Sequence, residues 1–330
     1  MMKPANKSLP VIILFLSIFL FHGLQSCGTD DTDDSSDDDD SGTVDCEQYE
    51  VIDGPGTCNT TLDIAPEFLI LIEGENRVIT ANNIPEHMVG TFPNADVSAQ
   101  DERYTITTSP EETGNLISLQ SDTGPVYRFG ILLNGVELDP IAAEPWPHSD
   151  LGIMDPDVNW NWNLEALNVR IGLDCNYGHV QPTGQYHYHG AATLYDLIAN
   201  ADGSEMVHIG WAADGFPIYY KYAYSTADDS SSEVVAMSSS YELKEGDRPG
   251  DGVTAPCSEY NGAYAADFEY IEGQGTLDEA NGRTGVTPEF PEGTYYYILT
   301  DGDEFPSIPR YFVGTPSDDF TLGGGNGGPN

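Results

Sequence analysis

The chain has 330 residues and a formal net charge of −44 at pH 7, from 55 acidic and only 11 basic side chains. This charge argues against nucleic acid and anionic surfaces as partners, because both repel an acidic protein. With 35 Gly and 22 Pro, the sequence is rich in turns, and its length permits one large domain or two small ones.

Residues 1–27 are predicted to be a lipoprotein signal peptide. Lys3 and Lys7 form a basic start, residues 9–24 are almost wholly apolar, and Leu-Gln-Ser-Cys follows at 24–27. This order is similar to a bacterial lipobox, in which Cys27 becomes the lipidated first residue of the mature chain and anchors it to a membrane. A plain signal peptide or a single membrane anchor is the alternative.

An acidic segment, GTDDTDDSSDDDDSGTVD, fills residues 28–45 and contains nine Asp. Such a run repels itself and has little apolar surface to bury, so we expect a disordered tether. It resembles the acidic export signal of surface-exposed Bacteroidetes lipoproteins, which implies an outer-membrane lipoprotein exposed at the cell surface.

The rest of the chain is predicted to be mainly β, with antiparallel sheets in a sandwich or barrel and a few short helices. Strand-like runs are rich in β-branched and aromatic residues, and they occur at 68–72, 77–80, 104–107, 126–133, 207–211, 218–222, 295–299 and 311–313. Asn134-Gly135 lies between two apolar runs and predicts a hairpin. The helix candidates lie near 164–167 and 193–199. We expect an N-terminal β segment of uncertain assignment at 46–115, a main domain at 116–316 and a flexible Gly-rich tail at 317–330.

Four cysteines follow the predicted signal peptide: Cys46, Cys58, Cys175 and Cys257. An even number in an exported chain predicts disulfides, and four cysteines allow three pairings. We favour Cys46–Cys58, which would close a short loop, together with Cys175–Cys257.

The sequence GHVQPTGQYHYHG at 178–190 holds three of the seven histidines. Side chains alternate between the two faces of a strand, so His187 and His189 share one face and can converge on one metal ion. Two residues compete for a third ligand position. His179 would reach the site across a hairpin turn, and His208 would reach it from another strand. The alternative is that these histidines are simply hydrogen-bonded residues of a polar core.

Carboxylates complete the candidate site. Asp214 and Asp174 are predicted to orient an imidazole by accepting a hydrogen bond from its N–H, as carboxylates near metal-bound histidines do. Three acidic loops, at 155–157, 278–279 and 301–303, offer oxygen atoms that Ca²⁺ prefers, although solvated turns are the simpler interpretation.

The blocks GHV, PTGQYHYH, HIGWAADGFPIY, LDEANGR and TPEFPEGTY between residues 178 and 295 resemble the YHYH-domain family. The resemblance covers roughly residues 120–315 and implies an exported or surface protein with no established activity. Similar chains often carry a Cys where Ala280 stands, which puts a pairing of Cys175 with Cys257 in doubt.

Three functions compete. The first is a transition-metal protein with copper or zinc on the histidines, in which a bound metal could activate water. The second is a non-catalytic surface module for glycans or proteins, suggested by aromatic residues such as Trp160-Asn161-Trp162. The third is a structural lipoprotein stabilised by calcium. The small-molecule, glycan or protein ligand stays open.

Overall fold

The computed structural model describes residues 46, 49–52, 54–93, 95–149 and 152–322. The predicted signal peptide with Cys27, the acidic tether and residues 323–330 of the predicted tail lie outside these ranges. Within them, no helix is long and apolar enough to cross a membrane.

Short strands make up most of the regular structure. They are β1 (Phe68–Glu73), β2 (Asn76–Ala81), β3 (Glu102–Thr107), β4 (Glu112–Ser118), β5 (Gln120–Ser121), β6 (Gly124–Pro125), β7 (Gly130–Leu132), β8 (Glu137–Leu138), β9 (Pro145–Trp146), β10 (Asn159–Asn163), β11 (Gly178–Val180), β12 (Tyr186–Tyr188), β13 (His208–Ala212), β14 (Pro217–Tyr220), β15 (Tyr222–Tyr224), β16 (Val234–Ala236), β17 (Tyr241–Leu243), β18 (Phe268–Tyr270), β19 (Gly282–Gly285), β20 (Thr294–Leu299) and β21 (Tyr311–Gly314). The helical segments are α1 (Asp196–Ala199) and three 3₁₀ turns (Gly152–Met154, Ala265–Asp267 and Asp318–Phe320).

An eight-stranded sheet in the order β11-β12-β8-β7-β13-β14-β20-β19 positions the candidate site. Most neighbours are antiparallel, but β12 pairs with β8 and β14 pairs with β20 in parallel. The sheet has two edges, β11 and β19, so it does not close into a barrel. The prediction of a mainly β fold is confirmed, with mixed rather than purely antiparallel pairing.

The three-stranded sheet β1-β2-β3 packs on the same hydrophobic core as the large sheet. Ile79 of β2 and Ile106 of β3 are buried in one cluster with Ile131 and Ile218 of the large sheet. Phe320, near the C-terminus, stacks on Tyr104 of β3 at 4.6 Å between ring centroids. Apolar residues from both ends of the described chain therefore stabilise one core.

Six of the eight predicted strands lie where the sequence places them, within two residues at each end. The run at 126–133 supplies only β7 to a ladder. The run at 218–222 is divided between β14 and β15 because Lys221 has a φ of 57°, a left-handed conformation that ends a strand. The predicted hairpin at Asn134-Gly135 is confirmed, because β7 and β8 pair antiparallel across it.

The helix predicted near 164–167 is wrong, since those residues form a bridge and a turn. The helix predicted at 193–199 is shortened to α1. Neither segment has a helical face of apolar residues long enough to support more than one turn.

The disulfides pair Cys46 with Cys257 and Cys58 with Cys175, so the favoured pairing is wrong. The segment that contains Cys58 lies beside the residues around Asp174, and the backbone N–H of Gly90 donates to that carboxylate at 2.9 Å. Loop-closure entropy rises only slowly with loop length, so the short loop had little advantage over tertiary packing.

Candidate metal centre

A tight hairpin presents the histidines. Strands β11 and β12 pair antiparallel with His179 opposite His187. The turn between them is closed by two backbone bonds, from the Gln181 N–H to the Gln185 carbonyl at 2.9 Å and from the Gly184 N–H to the Gln181 carbonyl at 2.8 Å. Gly184 has a φ of +84°, a conformation that favours glycine. The hairpin expected to bring His179 beside His187 is therefore present.

The three imidazoles converge on one point. The Nε2 atom of His189 lies 3.1 Å from that of His187 and 3.1 Å from that of His179. One ring nitrogen from each residue lies within 4.8 Å of the other two, and no other group of three or more His, Cys, Asp or Glu side chains in the described ranges is so arranged. Two nitrogens bound to one tetrahedral ion at 2.0–2.1 Å lie about 3.3 Å apart. The spacing around His189 matches that value closely.

Burial keeps these rings neutral. It lowers the pKa of His187 and of His189 well below the usual range, and the other histidines lower both pKa values further. Burial also lowers the pKa of His179. A neutral imidazole has a lone pair to offer a metal.

The hydrogen bonding of the cluster is incomplete. The Nδ1 atoms of His187 and His189 make no hydrogen bond of good geometry within the described residues, although both side chains are buried. The backbone of Gln185 lies near enough to His187, and that of Pro140 to His189, to raise the pKa of each ring in part. A neutral ring has one N–H and one acceptor nitrogen, so if the N–H is on Nδ1 the Nε2 lone pairs face each other. A cation among the Nε2 atoms would relieve that repulsion.

The tyrosines of the motif lie on the opposite face and hold the hairpin in place. Tyr186 and Tyr188 are fully buried. The Tyr186 hydroxyl donates to Oδ2 of Asp174 at 2.8 Å. The Tyr188 oxygen lies 2.6 Å from Nε2 of His87 and accepts from the Asn134 amide at 2.9 Å. This is the inward packing that the alternation predicts.

Asp174 does not orient a histidine, contrary to expectation. Its carboxylate accepts from the backbone N–H groups of Gly90, Asn176 and Gly178, as well as from Tyr186. It therefore ties the hairpin to the N-terminal segment.

His208 and Asp214 also lie outside the cluster. His208 is on β13, which β8 and β7 separate from β12, and strands are spaced about 4.8 Å apart. Its Nε2 lies 2.8 Å from the Gly210 carbonyl oxygen. Asp214 accepts from the Tyr297 hydroxyl at 2.6 Å and the Gly314 N–H at 3.0 Å. Both are parts of the packed sheet rather than of the candidate site.

Sequence reasoning missed two acidic residues beside the histidines, Glu137 and Asp139. In the parallel pairing of β8 with β12, Glu137 lies opposite His187, and Asp139 comes two residues later on the same face. Glu137 is fully buried and accepts from Tyr104 at 2.5 Å and from Gln185 at 2.6 Å, with Arg128 at 3.1 Å. The alternation in Val-Glu-Leu-Asp was a signal for one acidic face, but nothing local indicated its neighbour.

The buried carboxylate of Asp139 has few hydrogen-bond or ion-pair partners. Its side chain is buried, its Oδ1 has no hydrogen-bond partner within the described residues, and Arg128 lies 4.0 Å from its other oxygen. Burial raises its pKa from 3.8 to about 7, against the opposing effect of Arg128. A buried carboxylate with a raised pKa, at the end of the strand that pairs with the histidine strand, is typical of functional sites.

This raised pKa predicts that Asp139→Asn stabilises the fold by an amount that depends on pH. Between about pH 4 and pH 7 the folded chain holds a proton on Asp139 that the unfolded chain has released. The contribution of this residue to stability therefore falls as pH rises through that window. Relative to wild type, the free energy of unfolding of the metal-free variant should rise by up to about 1.4 kcal/mol per pH unit there and level off above it. Urea unfolding at pH 5, 6, 7 and 8 measures this, and a difference independent of pH would refute it.

A family model for YHYH proteins matches residues 103–314, which is more than half of the chain. The chain belongs to the YHYH protein family. Searches of curated proteins and of solved structures found no match. In this YHYH protein the family match includes all eight strands of the large sheet, and with them the whole hairpin and the acidic strand β8. The resemblance seen in the sequence is thus confirmed.

Proposed function

We propose that this YHYH protein binds one divalent transition-metal ion, copper or zinc, through His179, His187 and His189. The observation that carries the proposal is the convergence of three ring nitrogens within 4.8 Å, with both separations from His189 close to those in a tetrahedral ion's shell. Imidazole ligands suit both metals, and copper has the higher intrinsic affinity for such ligands.

Three histidine ligands leave one position of a tetrahedral ion open, as in catalytic zinc sites. A metal held there would supply Lewis acidity toward water or a substrate group in that position. Glu137 and Asp139 lie on the same face of the sheet as His187, and Glu137 is paired with Arg128 at 3.1 Å, so ionised Asp139 is the group that would favour retention of a cation. The site is therefore suited to metal capture and to metal-dependent hydrolysis.

Two of the three acidic loops considered for calcium use their carboxylates in internal contacts. Asp278 accepts from the Gly282 N–H and the Tyr295 hydroxyl. Asp301 is paired with Lys221. These contacts support the transition-metal function over a calcium-stabilised one.

We also propose that the chain is exported and anchored through a lipid on Cys27 to the outer membrane, at the cell surface. The apolar segment that ends at Cys27 and the acidic run after it support this location. Two disulfides support an oxidising compartment.

Elemental analysis tests the metal proposal. The purified chain, exposed to copper or zinc and then desalted, should retain about one ion per molecule by mass spectrometry. Retention of no transition metal after this treatment would overturn the proposal.

A further inference from the structure

A pocket of about 320 Å³ lies beside strand β10. Its walls are aromatic and include Trp160, Phe305 and Tyr311, and polar side chains of Asn161, Asn163 and Arg310 line it as well. None of the three clustered histidines lines this pocket. A concave site with aromatic walls and a few polar groups is the usual form of a small-ligand site.

Two buried polar side chains of this pocket are incompletely satisfied. Asn163 is 3% exposed; its Nδ2 donates to Gln120 and to the Ala142 carbonyl, but its Oδ1 has no partner. Arg310 is 8% exposed, and its Nε also has no partner within the described residues. Buried polar atoms are nearly always hydrogen-bonded. Both atoms have almost no accessible surface, so the polar groups that a ligand can reach are the exposed side chains of Asn161 and Asp122.

The charge of Arg310 is already balanced. Its Nη2 donates to both carboxylate oxygens of Glu165, at 2.9 and 2.8 Å. Asp122 also lines the pocket, and the whole chain is strongly acidic. An anionic ligand would gain little from such a site, whereas a neutral ligand with hydroxyl groups can donate to Asp122 and pair with the Asn161 amide.

The indole of Trp160 is fixed in place. A Cβ atom built on Gly124 would meet this ring at 3.1–3.3 Å, so the ring packs closely against the glycine backbone. The side-chain amide of Gln120 donates to the backbone carbonyl of Trp160. A rigid aromatic wall lowers the entropy lost on binding.

We propose that this pocket binds a neutral pyranose unit of a glycan, independently of the metal centre. The apolar C–H face of the sugar packs against Trp160. One hydroxyl group donates to the carboxylate of Asp122, and another pairs with the side-chain amide of Asn161, both exposed at the pocket. A hydroxyl can donate and accept, which fits a carboxylate and an amide together.

The test is a titration of the full chain with cellotetraose, xylotetraose, mannotetraose and maltotetraose, followed by tryptophan fluorescence and calorimetry. At least one of them should bind with a dissociation constant of about 1 mM or lower. Trp160→Ala should weaken that binding at least about tenfold. Asn161 is exposed at the pocket, so Asn161→Trp should block binding without altering the core.

Trp162→Ala is the matched control, because Trp162 lies on the same strand but packs on Tyr264 at 5.7 Å between ring centroids. The Trp162→Ala variant should bind the sugar with wild-type affinity. The His187→Ala/His189→Ala variant should also bind the sugar as wild type does. The proposal is overturned if none of the four sugars binds, or if Trp160→Ala and Asn161→Trp both bind as wild type does.

Discussion

Replacing both His187 and His189 with Ala will lower the affinity of this YHYH protein for copper and zinc by more than about 100-fold. Loss of an outer partner of a metal ligand alone typically costs 10–100-fold, and this change removes two of three proposed ligands. The remaining imidazole of His179 is less buried and would bind as an isolated histidine does. Competition with a chromophoric chelator measures the affinity.

His208→Ala is the control for this experiment. His208 is a half-buried histidine of the large sheet that contacts the Gly210 carbonyl and the ring of Trp211, and β7 and β8 separate it from the cluster. It should bind metal as wild type does. Equal loss of affinity in His208→Ala and in the double variant, or full affinity in both, would show that the three-histidine cluster is not the site.

Removing the Cys58–Cys175 disulfide with serines will destabilise the chain by about 5 kcal/mol. The bridge joins residues 117 apart in sequence, and a loop of that length loses roughly this much closure entropy when it is cross-linked. Thermal or urea unfolding measures the loss.

The same variant should weaken metal binding, because Cys175 lies next to Asp174 and Asn176, which hold the hairpin. The backbone N–H of Cys175 lies 3.2 Å from Sγ of Cys58. Removal of Cys46–Cys257, whose loop spans 211 residues, should cost a similar free energy but leave metal affinity unchanged. Stability unaffected by either change, or metal affinity affected equally by both, would contradict this account.

The local part of the site could be predicted from the sequence. Strict alternation in Tyr186–Tyr188 places histidines and tyrosines on opposite faces, and the Pro-Thr-Gly turn brings His179 opposite His187. Both inferences need only the period of a strand and the geometry of a tight turn.

The long-range part could not be predicted. The parallel pairing of β8 with β12 joins Glu137 to His187, 50 residues later, and no local pattern specifies it. The disulfide partners and the true contacts of His208 and Asp214 depend on strand order in the same way. Choosing between His179 and His208 required that order, because both are histidines on strand-like runs.

X-ray absorption spectroscopy on the copper- or zinc-loaded chain tests the central claim most directly. A first shell with three imidazole nitrogens at about 2.0–2.1 Å, lost in His187→Ala/His189→Ala, is the predicted result. A shell of oxygen atoms alone, or a spectrum that the double variant leaves unchanged, would show that the YHYH hairpin does not bind the metal.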